Sequence, residues 1–363
     1  MHKGVFGQHG LRELFENKRL VGGETFSSDH IGPASVDLAI TNEIYEVQEM
    51  FLPRKGRTVR DVLGSVRNKP ISIGDVLWPG RSYLAKASVS VNFPRGVYGY
   101  ANPKSTTGRN FIKVSTITDY CISYNSMDMR EHGLTAEVWL LIQPLVYPVA
   151  ATPHECLSQM RVFNGDSRIS SEAGLSEFLL THDLLYRLNG APYGQGELDL
   201  KTNSGVFLMT LEAETEGVIG YRARATDKVL DLTDRGLDPQ EYFDTVYAEK
   251  RGDISFVRLE PGKYYLLTSH EQVKVPVTHS IEMKGIDQKY GDFFAHFAGF
   301  FDPGFFGTAT LEVMSPFGEC VRHGQPVAAF EIEQVQTATT SYADIGNYVG
   351  QIGTKLPKQF RNP

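Results

Sequence analysis

The sequence predicts a mainly β protein, built from two domains in tandem with a few short helices. The chain has 363 residues, which is too long for one small domain and suits two domains of about 150 to 200 residues each. It contains 35 Gly and 18 Pro, and 11% of its residues are aromatic, which is typical of many short strands joined by turns. A segment near residue 80 also recurs in the second half, which indicates a duplicated domain.

The two similar segments are Pro79–Leu84 and Pro261–Leu266, which share the pattern Pro-Gly-basic-x-Tyr-Leu at an offset of 182 residues. The strand predicted after each segment stops at a proline, Pro94 in the first half and Pro276 in the second. The offset between these prolines is the same. We therefore predict two copies of one domain.

The predicted first domain is 1–170 and the second is 171–363, with the join inside 164–195. This join contains an apolar segment, Leu175–Tyr186, which predicts a connecting helix. A short amphipathic helix is predicted over Leu11–Leu20, with its apolar residues on one face and basic residues at its C-terminal end.

Charge and cysteine content exclude several classes of protein. A formal net charge of −7 and a pI of about 5.8 argue against a broad surface for binding nucleic acid, but they allow a local phosphate pocket. The three cysteines, Cys121, Cys156 and Cys320, are far apart and form no CxxC pair. The chain has no signal-peptide pattern and no run of about 18 apolar residues, so we expect a reduced cytoplasmic protein with no membrane contact.

The most informative segment is 298–313, because it combines a tight turn, a strand and one carboxylate. Asp302-Pro-Gly304 has the composition of a β-turn, and the two phenylalanines before it suit the end of a strand. The run from Thr308 to Val313 is strand-like, and alternation places Glu312 with two threonines on the face that points away from the apolar layer. From the pattern alone, an ordinary solvated strand glutamate is the alternative.

A second polar segment ends at Arg109 and follows a predicted strand. It packs two cations and three hydroxyl groups close together, and Gly108 allows close approach of the backbone, which together suit a polyphosphate. It is not a Walker A loop, because the pattern GxxxxGK[ST] is absent from the chain. A solvated basic turn is the alternative. The residues of this phosphate motif are Lys104, Ser105, Thr106, Thr107, Gly108 and Arg109.

The segment from Ala298 to Glu312 resembles the base-binding hairpin of the dCTP deaminases, a branch of the dUTPase-like superfamily. The resemblance implies two dUTPase-like domains, each a distorted jelly roll or β-barrel. It also implies that Glu312 is the catalytic carboxylate. Asp302 and the turn backbone, including Ala298 and Gly304, would then cradle the deoxynucleotide.

Three other segments carry the same resemblance. The phosphate motif is similar to the Arg-Ser-Ser-x-x-Arg motif of these enzymes, with Lys104 in place of the first arginine, which makes Ser105 and Arg109 catalytic-site residues. Leu157–Met160 resembles the segment that follows the hairpin in the family, which implies that Gln159 binds nucleotide. Pro33–Leu38 resembles a family strand that is mainly scaffold, so we expect no chemistry from it.

The C-terminal segment resembles the arm that folds over bound nucleotide in this family. Tyr342 and Gln351 match the arm, whereas Asn347 stands where a lysine is expected. We therefore expect the first two residues, and not the third, to contribute to nucleotide binding.

Each half has lost a motif that the other keeps. The second half has Ile286–Gly291 in place of the phosphate motif and Val327–Phe330 in place of the glutamine segment. The first half has 120–133 in place of the hairpin, with Glu137 as an uncertain counterpart of the carboxylate. Because sites in this superfamily lie between neighbouring domains, we expect a composite site. We also expect a homo-oligomer, either a trimer or a pseudo-hexameric arrangement of domains.

The expected chemistry uses no zinc. Zinc-dependent nucleobase deaminases carry HxE and PCxxC signatures, which this chain lacks, and His154-Glu-Cys156 is interpreted as a loop. Glu312 would transfer protons at the pyrimidine, provided that desolvation brings its pKa toward neutrality. The family resemblance implies dCTP or dUTP as ligand, with Mg²⁺ accompanying the triphosphate. Three functions stay open: a dCTP deaminase, a dUTP diphosphatase or bifunctional enzyme of the same fold, and a non-enzymatic nucleotide-binding protein.

Overall fold

The computed structural model describes residues 3–128, 133–197, 206–286, 290–291, 294–295, 298–336 and 339–361. Most of the regular structure is β, and the predicted fold class is confirmed. None of the helices in these ranges is long and apolar enough to cross a membrane.

The strands are short and are numbered here in chain order. They are β1 (Leu20–Gly22), β2 (Val36–Val47), β3 (Asn68–Ile71), β4 (Val76–Leu77), β5 (Ser82–Val91), β6 (Tyr98–Pro103), β7 (Ile112–Thr118), β8 (Ala136–Pro144), β9 (Val149–Ala150), β10 (Cys156–Phe163), β11 (Leu185–Tyr186), β12 (Val206–Thr210), β13 (Val218–Ala223), β14 (Leu230–Asp231), β15 (Phe243–Tyr247), β16 (Glu249–Arg251), β17 (Ile254–Leu259), β18 (Tyr264–Lys274), β19 (His279–Lys284), β20 (Phe294–Ala295), β21 (Phe300–Phe301), β22 (Phe306–Met314), β23 (Glu319–Arg322) and β24 (Pro326–Gln334).

The α-helices are α1 (Gln8–Glu16), α2 (Val59–Leu63), α3 (Ser105–Arg109), α4 (Glu172–Thr181) and α5 (Tyr342–Ile345), and Ser28–His30, Gln195–Glu197 and Pro239–Glu241 form single 3-10 turns. The predicted N-terminal helix is present, but it ends at Glu16, and Lys18 lies beyond it with a positive φ of 54°. The predicted connecting helix is also present as α4, although it stops at Thr181 and the chain then forms β11.

The chain folds into two compact units. Unit 1 consists of Met1–Ser167, Asp227–Arg235 and Val335–Thr339, and unit 2 consists of Arg168–Thr226, Gly236–Gln334 and Thr340–Pro363. The predicted domain limits, 1–170 and 171–363, assign the two short segments of unit 1 to the second domain.

Unit 1 contains an eight-stranded sheet in the order β6-β10-β2-β5-β8-β7, with β1 and β3 pairing with β5 and β2. A three-stranded sheet, β14-β9-β4, completes the unit. Its core includes Trp139, Leu84 and Ile117, none of which is measurably exposed. Full burial of an apolar side chain of this kind contributes about 1.5–3 kcal/mol to folding.

Unit 2 contains a six-stranded sheet in the order β15-β13-β18-β22-β20, with β11 pairing with β18. A four-stranded sheet, β12-β24-β19-β21, and a three-stranded sheet, β16-β17-β23, complete it. Side chains from β18, β22 and β24 form a continuous apolar core. The sheets thereby fix β22, which carries Glu312, between two neighbouring strands.

The same local structures recur in both units at the offset of 182 residues. The hydroxyl group of Tyr83 accepts a hydrogen bond from the amide of Trp78 at 2.9 Å, and the hydroxyl of Tyr265 accepts one from the amide of Glu260 at 2.9 Å. The strands that follow contain equivalent bulges, one between Lys86 and Ser90 of β5 and one between Thr268 and Gln272 of β18. Because a bulge sets the register of a strand, these paired features allow positions in the two units to be matched.

A partly buried histidine in unit 2 predicts a loss of stability in acid. His279 packs edge-on against the Phe178 ring, with centroids 4.8 Å apart, and burial together with the nearby His182 lowers the pKa of His279 to about 4. Between pH 6.5 and about 4, His279 is protonated in the unfolded chain but neutral in the folded chain. The free energy of unfolding therefore falls as the pH falls through this window. We expect this single group to contribute about 1–2 kcal/mol, less than the full shift implies because His279 is only partly buried.

Urea unfolding at several pH values should show this effect, and His279→Gln should reduce the loss of stability over the window. The exposed His9 provides a matched control, because His9→Gln should leave the acid response of the wild-type chain unchanged. An identical acid response in the His279 variant would show that other groups control it.

Candidate active site

The phosphate motif forms the short helix α3, which connects β6 to β7 in unit 1. The helix begins immediately after Lys104, whose amide donates to the carbonyl oxygen of Leu157 in β10 at 3.1 Å. It ends at Arg109, and two residues later Phe111, a fully buried residue with a positive φ of 54°, leads directly into β7. A bulky residue rarely adopts this conformation, so burial of the ring is what holds the sharp exit from the helix. The predicted alternative, a solvated basic turn, is wrong.

The side chains of the motif differ in exposure. Arg109 is 4% exposed and Thr107 is 3% exposed, and Gly108 is also buried. Ser105 and Thr106 are partly exposed. The first residues of the motif are therefore partly accessible, while its arginine is held inside the fold.

Gln159 lies close to this helix through strand pairing. On β10 it is directly opposite Asn102 of β6 on one side and Asp37 of β2 on the other, so the three side chains share one face of the sheet. The amide oxygen of Gln159 accepts a hydrogen bond from the Ser35 hydroxyl at 3.3 Å. Lys104, two residues after Asn102, forms an ion pair with Asp37. The structure thus brings Gln159 and the phosphate motif to one region of unit 1.

Three polar residues in this region were missed from the sequence. Asp37 belongs to the Pro33–Leu38 segment, which we expected to be scaffold alone, yet it pairs with Lys104. Arg161 is 1% exposed and donates to the Asn102 side-chain oxygen at 3.0 Å. Asp37 lies between the buried residues Val36 and Leu38, so the alternation along β2 could have indicated that its side chain is on the opposite face. Nothing in the spacing links Arg161 to residues far along the chain.

The segment that resembles the base-binding hairpin contains the predicted turn, which is closed by a hydrogen bond from the Phe305 amide to the Asp302 carbonyl oxygen at 3.1 Å. The strands on either side of the turn, β21 and β22, do not pair with each other: β21 pairs with β19, and β22 pairs with β18 and β20. Gly304 has a positive φ of 84°, and a Cβ atom there would lie 2.0 Å from the Ser341 hydroxyl oxygen. Glycine is therefore required by both the conformation and the space.

Glu312 does not point into solvent. It is only 1% exposed, and Thr308 and Thr310 on the same face are also buried, so the alternative of a solvated strand glutamate is wrong. The alternation itself was predicted correctly, because Ala309, Leu311 and Val313 belong to the apolar core. Both faces of β22 are covered, and a carboxylate inside such a layer is held in a fixed position.

The Glu312 carboxylate is held at the base of the hairpin. Opposite it in the register of β18 lies Leu266, and the amide of Ala298 donates to its Oε2 at 3.4 Å. The predicted site residues Ala298 and Glu312 are therefore in contact. This arrangement places an acid–base group beside the backbone that precedes the turn.

The C-terminal arm packs on the same hairpin. The Tyr342 amide donates to the carbonyl oxygen of Pro303 at 2.8 Å, and its ring lies 5.8 Å from that of Phe305. Further along, Gln351 is 2% exposed, and its carbonyl oxygen accepts the Thr308 amide at 2.9 Å. The structure therefore brings Asp302, Gly304, Tyr342 and Gln351 together around the turn and β22.

Sequence models of two domains match most of the chain. One, described as the 2'-deoxycytidine 5'-triphosphate deaminase N-terminal domain, matches residues 2–166, and the other, the C-terminal domain of the same enzyme, matches residues 189–360. The chain belongs to the dCTP deaminase family. The suspected family is confirmed.

A solved structure of the family agrees with this assignment. The crystal structure of 2'-deoxycytidine 5'-triphosphate deaminase from Agrobacterium tumefaciens is 27% identical in sequence, with a TM-score of 0.81, and the match covers 93% of this chain and 100% of that chain. The search of curated proteins found no match. The relative therefore resembles the chain over nearly its whole length.

The strand registers show which residues of unit 1 occupy the positions that correspond to β22 of unit 2. Leu84 and Leu266 are separated by the offset of 182 residues, and their partners across the sheet are Leu141 in unit 1 and Glu312 in unit 2. Trp139 likewise takes the place of Thr310 and is 0% exposed. The position of the carboxylate in unit 1 is therefore occupied by a buried leucine beside a buried tryptophan.

Glu137 is not a counterpart of Glu312. It lies opposite Ser90, and the matching pair in unit 2 is Gln272 with Thr308. Arg60 donates to Glu137 at 2.8 Å, and its guanidinium carbon lies 5.1 Å from the centre of the Trp139 ring. Partial burial opposes ionisation, but hydrogen bonds from Arg60 and Lys86 hold the pKa of Glu137 below its usual value. Glu137 is a structural ion-pair partner.

Gly307 offers a test of the arm in this dCTP deaminase. Its φ is 149°, and a Cβ atom would lie 2.8 Å from the Gln351 carbonyl oxygen and 3.0 Å from its amide nitrogen. Gly307→Ala should displace the C-terminal arm from β22. We expect the KM for dCTP to rise by about tenfold, which corresponds to about 1.4 kcal/mol, and the arm to become sensitive to limited proteolysis.

Gly350→Ala is a suitable comparison, because Gly350 also has a positive φ, 65°, but no atom lies within 4 Å of a Cβ placed there. Gly350→Ala therefore introduces backbone strain but no steric clash. Equal KM values in both variants would mean that contact between the arm and β22 does not contribute to substrate binding.

Proposed function

We propose that Glu312 is the acid–base catalyst of a zinc-independent deamination. Family membership makes the chain an enzyme that deaminates dCTP, which yields dUTP and ammonia. The observation that carries the proposal is the environment of Glu312: it is 1% exposed, set by the register of β22 and in contact with the amide of Ala298. The hairpin thus provides a fixed carboxylate beside the proposed base-binding backbone.

The proposed reaction begins with water attacking C4 of the cytosine ring. Glu312 takes a proton from this water and delivers it to N3, which gives a tetrahedral intermediate at C4. Proton transfer to the amino group then allows ammonia to leave as the carbonyl group of uracil forms. The Ala298 amide holds the carboxylate in one orientation, so that a single group serves as base and then as acid.

The phosphate motif is proposed to bind the triphosphate and to position the water. Ser105 and Thr106 are partly exposed, so their hydroxyl groups are accessible to a ligand, and Arg109 supplies the fixed guanidinium group that suits phosphate or a developing negative charge. Lys104 is paired with Asp37, so phosphate binding would compete with this ion pair. The Mg²⁺ that accompanies the triphosphate is part of the substrate in this proposal.

The zinc chemistry of other nucleobase deaminases requires cysteine ligands near a histidine. In the described part of the chain, one cluster of potential metal ligands is found, Glu212 with His270 and His323, and it contains no cysteine. The predicted loop at His154–Cys156 is not part of that cluster.

We further propose that the two units are diverged copies, that both contribute to activity, and that the enzyme is a homo-oligomer. The recurrence of the tyrosine hydrogen bond and of the strand bulge supports common ancestry. The matched registers support a division of labour, because Gln159 in unit 1 corresponds to Ala329 in unit 2, whereas Leu141 corresponds to Glu312.

One consequence is the number of nucleotides bound. Because Trp139 and Leu141 fill the matching positions in unit 1, we expect one dCTP per chain. Calorimetric titration of Glu312→Gln with dCTP and Mg²⁺ measures this without turnover. Two equivalent sites per chain would contradict the proposed loss of the base site in unit 1.

The decisive experiment is incubation of the purified chain with dCTP and Mg²⁺, with ammonia, dUTP and pyrophosphate measured in the same samples. Ammonia and dUTP in equal amounts, unaffected by prior treatment with a zinc chelator, are expected. Pyrophosphate formation would reveal a bifunctional enzyme. Loss of ammonia release in chelator-treated protein that remains folded, restored by Zn²⁺ alone, would overturn the proposed chemistry.

A further inference from the structure

Two histidines and one buried glutamate, none of them part of a motif discussed above, meet in unit 2. Glu212 is 3% exposed, and its Oε2 lies 2.6 Å from Nδ1 of His270. Its Oε1 lies 3.7 Å from Nδ1 of His323. One ligand atom from each of the three residues lies within 4.8 Å of the other two.

Backbone hydrogen bonds hold the three residues in place. The Glu212 amide donates to the carbonyl oxygen of Thr268 at 3.1 Å, and the bulge that follows Thr268 in β18 carries His270. The amide of Gly324, next to His323, donates to the carbonyl oxygen of Leu211, next to Glu212, at 3.0 Å. The spacing of the three side chains is therefore set by the fold and does not depend on flexible loops meeting by chance.

Three donors fix the carboxylate of Glu212. Its Oε1 accepts the amides of Glu214 and Thr215 at 2.6 and 2.9 Å, and its Oε2 lies 2.6 Å from Nδ1 of His270. A deprotonated carboxylate at the centre of two imidazoles is one part of a cation site.

The ring of His323 is held by two contacts. Its Nδ1 accepts the Ala213 amide at 3.2 Å, so the lone pair of Nδ1 is directed at that amide and the proton of the neutral ring is on Nε2. On the opposite side of the ring, Nε2 lies 3.6 Å from the Glu214 carboxylate, an outer partner that metal-binding histidines commonly have. An ion bound through Nδ1 would take the place of the hydrogen bond from Ala213.

We propose that Glu212, His270 and His323 bind one divalent transition-metal ion, with Zn²⁺ as the best match. Two imidazole nitrogens and one carboxylate form a ligand set that zinc uses, whereas Mg²⁺ prefers oxygen ligands alone. Zinc–ligand bonds of about 2.0–2.1 Å place tetrahedral ligand atoms about 3.3 Å apart, so small side-chain rotations bring the three groups into position. Water completes the coordination.

Binding has defined consequences for the protein. The ion takes the position of the proton between Nδ1 of His270 and Glu212, and protons compete with the ion for the imidazole nitrogens, so affinity falls as the pH falls. The ion also links three segments of unit 2: the chain around Glu212, the bulge of β18, and the turn before β24. The proposal is independent of the catalytic role of Glu312, and its tests need no substrate.

The test is a titration of chelator-treated full-length protein with Zn²⁺ in competition with a chromophoric chelator, at about neutral pH. We expect one tightly bound Zn²⁺ per chain, a rise in Tm, and no competition from Mg²⁺ at a hundredfold excess. His270→Gln and His323→Gln should each weaken binding by at least about tenfold, whereas His9→Gln, which changes an exposed histidine, should not.

Co²⁺ bound to the wild-type chain provides a measurement that does not depend on folded variants. Visible d–d absorption without a thiolate charge-transfer band is expected, because the three ligands contain no sulfur. A thiolate band, absence of stoichiometric binding, or equal affinity in the His270 and His323 variants would overturn the proposal. The cluster would then be a hydrogen-bonded ion pair between Glu212 and His270 only.

Discussion

Glu312→Gln is expected to reduce ammonia release from dCTP by about 10²–10⁴-fold, the range that general acid–base catalysis contributes, while dCTP binding changes by less than about threefold. Glutamine has nearly the same shape as glutamate and preserves an oxygen that accepts the Ala298 amide, but it cannot take a proton from water. Because Glu312 is only 1% exposed and lies within a paired strand, the substitution changes the chemistry more than the packing. Single-turnover measurement of ammonia, with calorimetry for binding, separates the two effects.

The control is Glu216→Gln, which makes the same chemical change at an exposed loop position of unit 2. It should leave both turnover and binding unchanged. If Glu312→Gln retains at least half of the wild-type rate while remaining folded, another group activates the water and the proposed role of Glu312 is wrong.

The fold and the hairpin could be predicted from the sequence because their signals are local. The Asp302-Pro-Gly304 turn and the alternation along β22 depend on neighbouring residues, and both are present in the structure. The strand pattern alone left a solvated Glu312 open as an alternative, for a physical reason. Alternation specifies which residues share a face, but it does not say whether another layer covers that face.

Residues brought together by strand pairing over long distances were the ones that sequence analysis missed. Asp37 and Lys104 lie 67 positions apart, and Glu212 and His270 lie 58 positions apart, so no motif contains either pair. The match between Leu141 and Glu312 likewise required the register of β8 and β22 on their neighbours. The residue types were sufficient to identify candidate functional side chains. Which residues contact those side chains depended on how the strands pair.

Arg109→Ala is expected to lower kcat/KM for dCTP by about 10²–10³-fold, with KM and kcat both affected. A charge-assisted hydrogen bond contributes about 1.5–3 kcal/mol, and two such bonds from one guanidinium group to phosphate or to a developing negative charge account for the larger figure. Arg109→Lys keeps the charge but not the planar pair of donors, so partial recovery relative to alanine is expected. Steady-state kinetics with both variants measures this difference.

Stability must be measured alongside, because Arg109 is only 4% exposed and its removal leaves space in unit 1. Thr106→Ala in the same helix is a less disruptive comparison at a partly exposed position and should cost about tenfold or less in kcat/KM. An Arg109→Ala variant with normal kinetics and normal Tm would exclude the phosphate motif from the reaction.

Mixing the two inactive variants tests whether one site draws on two chains of the proposed homo-oligomer. The experiment dissociates Glu312→Gln and Arg109→Ala chains and reassembles them together in equal amounts. We expect the mixture to regain about a quarter of wild-type activity, because random assembly pairs an intact Glu312 with an intact Arg109 at about one interface in four. Each variant reassembled alone should regain nothing. If the mixture also stays inactive although mixed oligomers have formed, each chain supplies both residues to its own site, and the two units act within one polypeptide. A monomer by light scattering at micromolar concentration would exclude the oligomer itself.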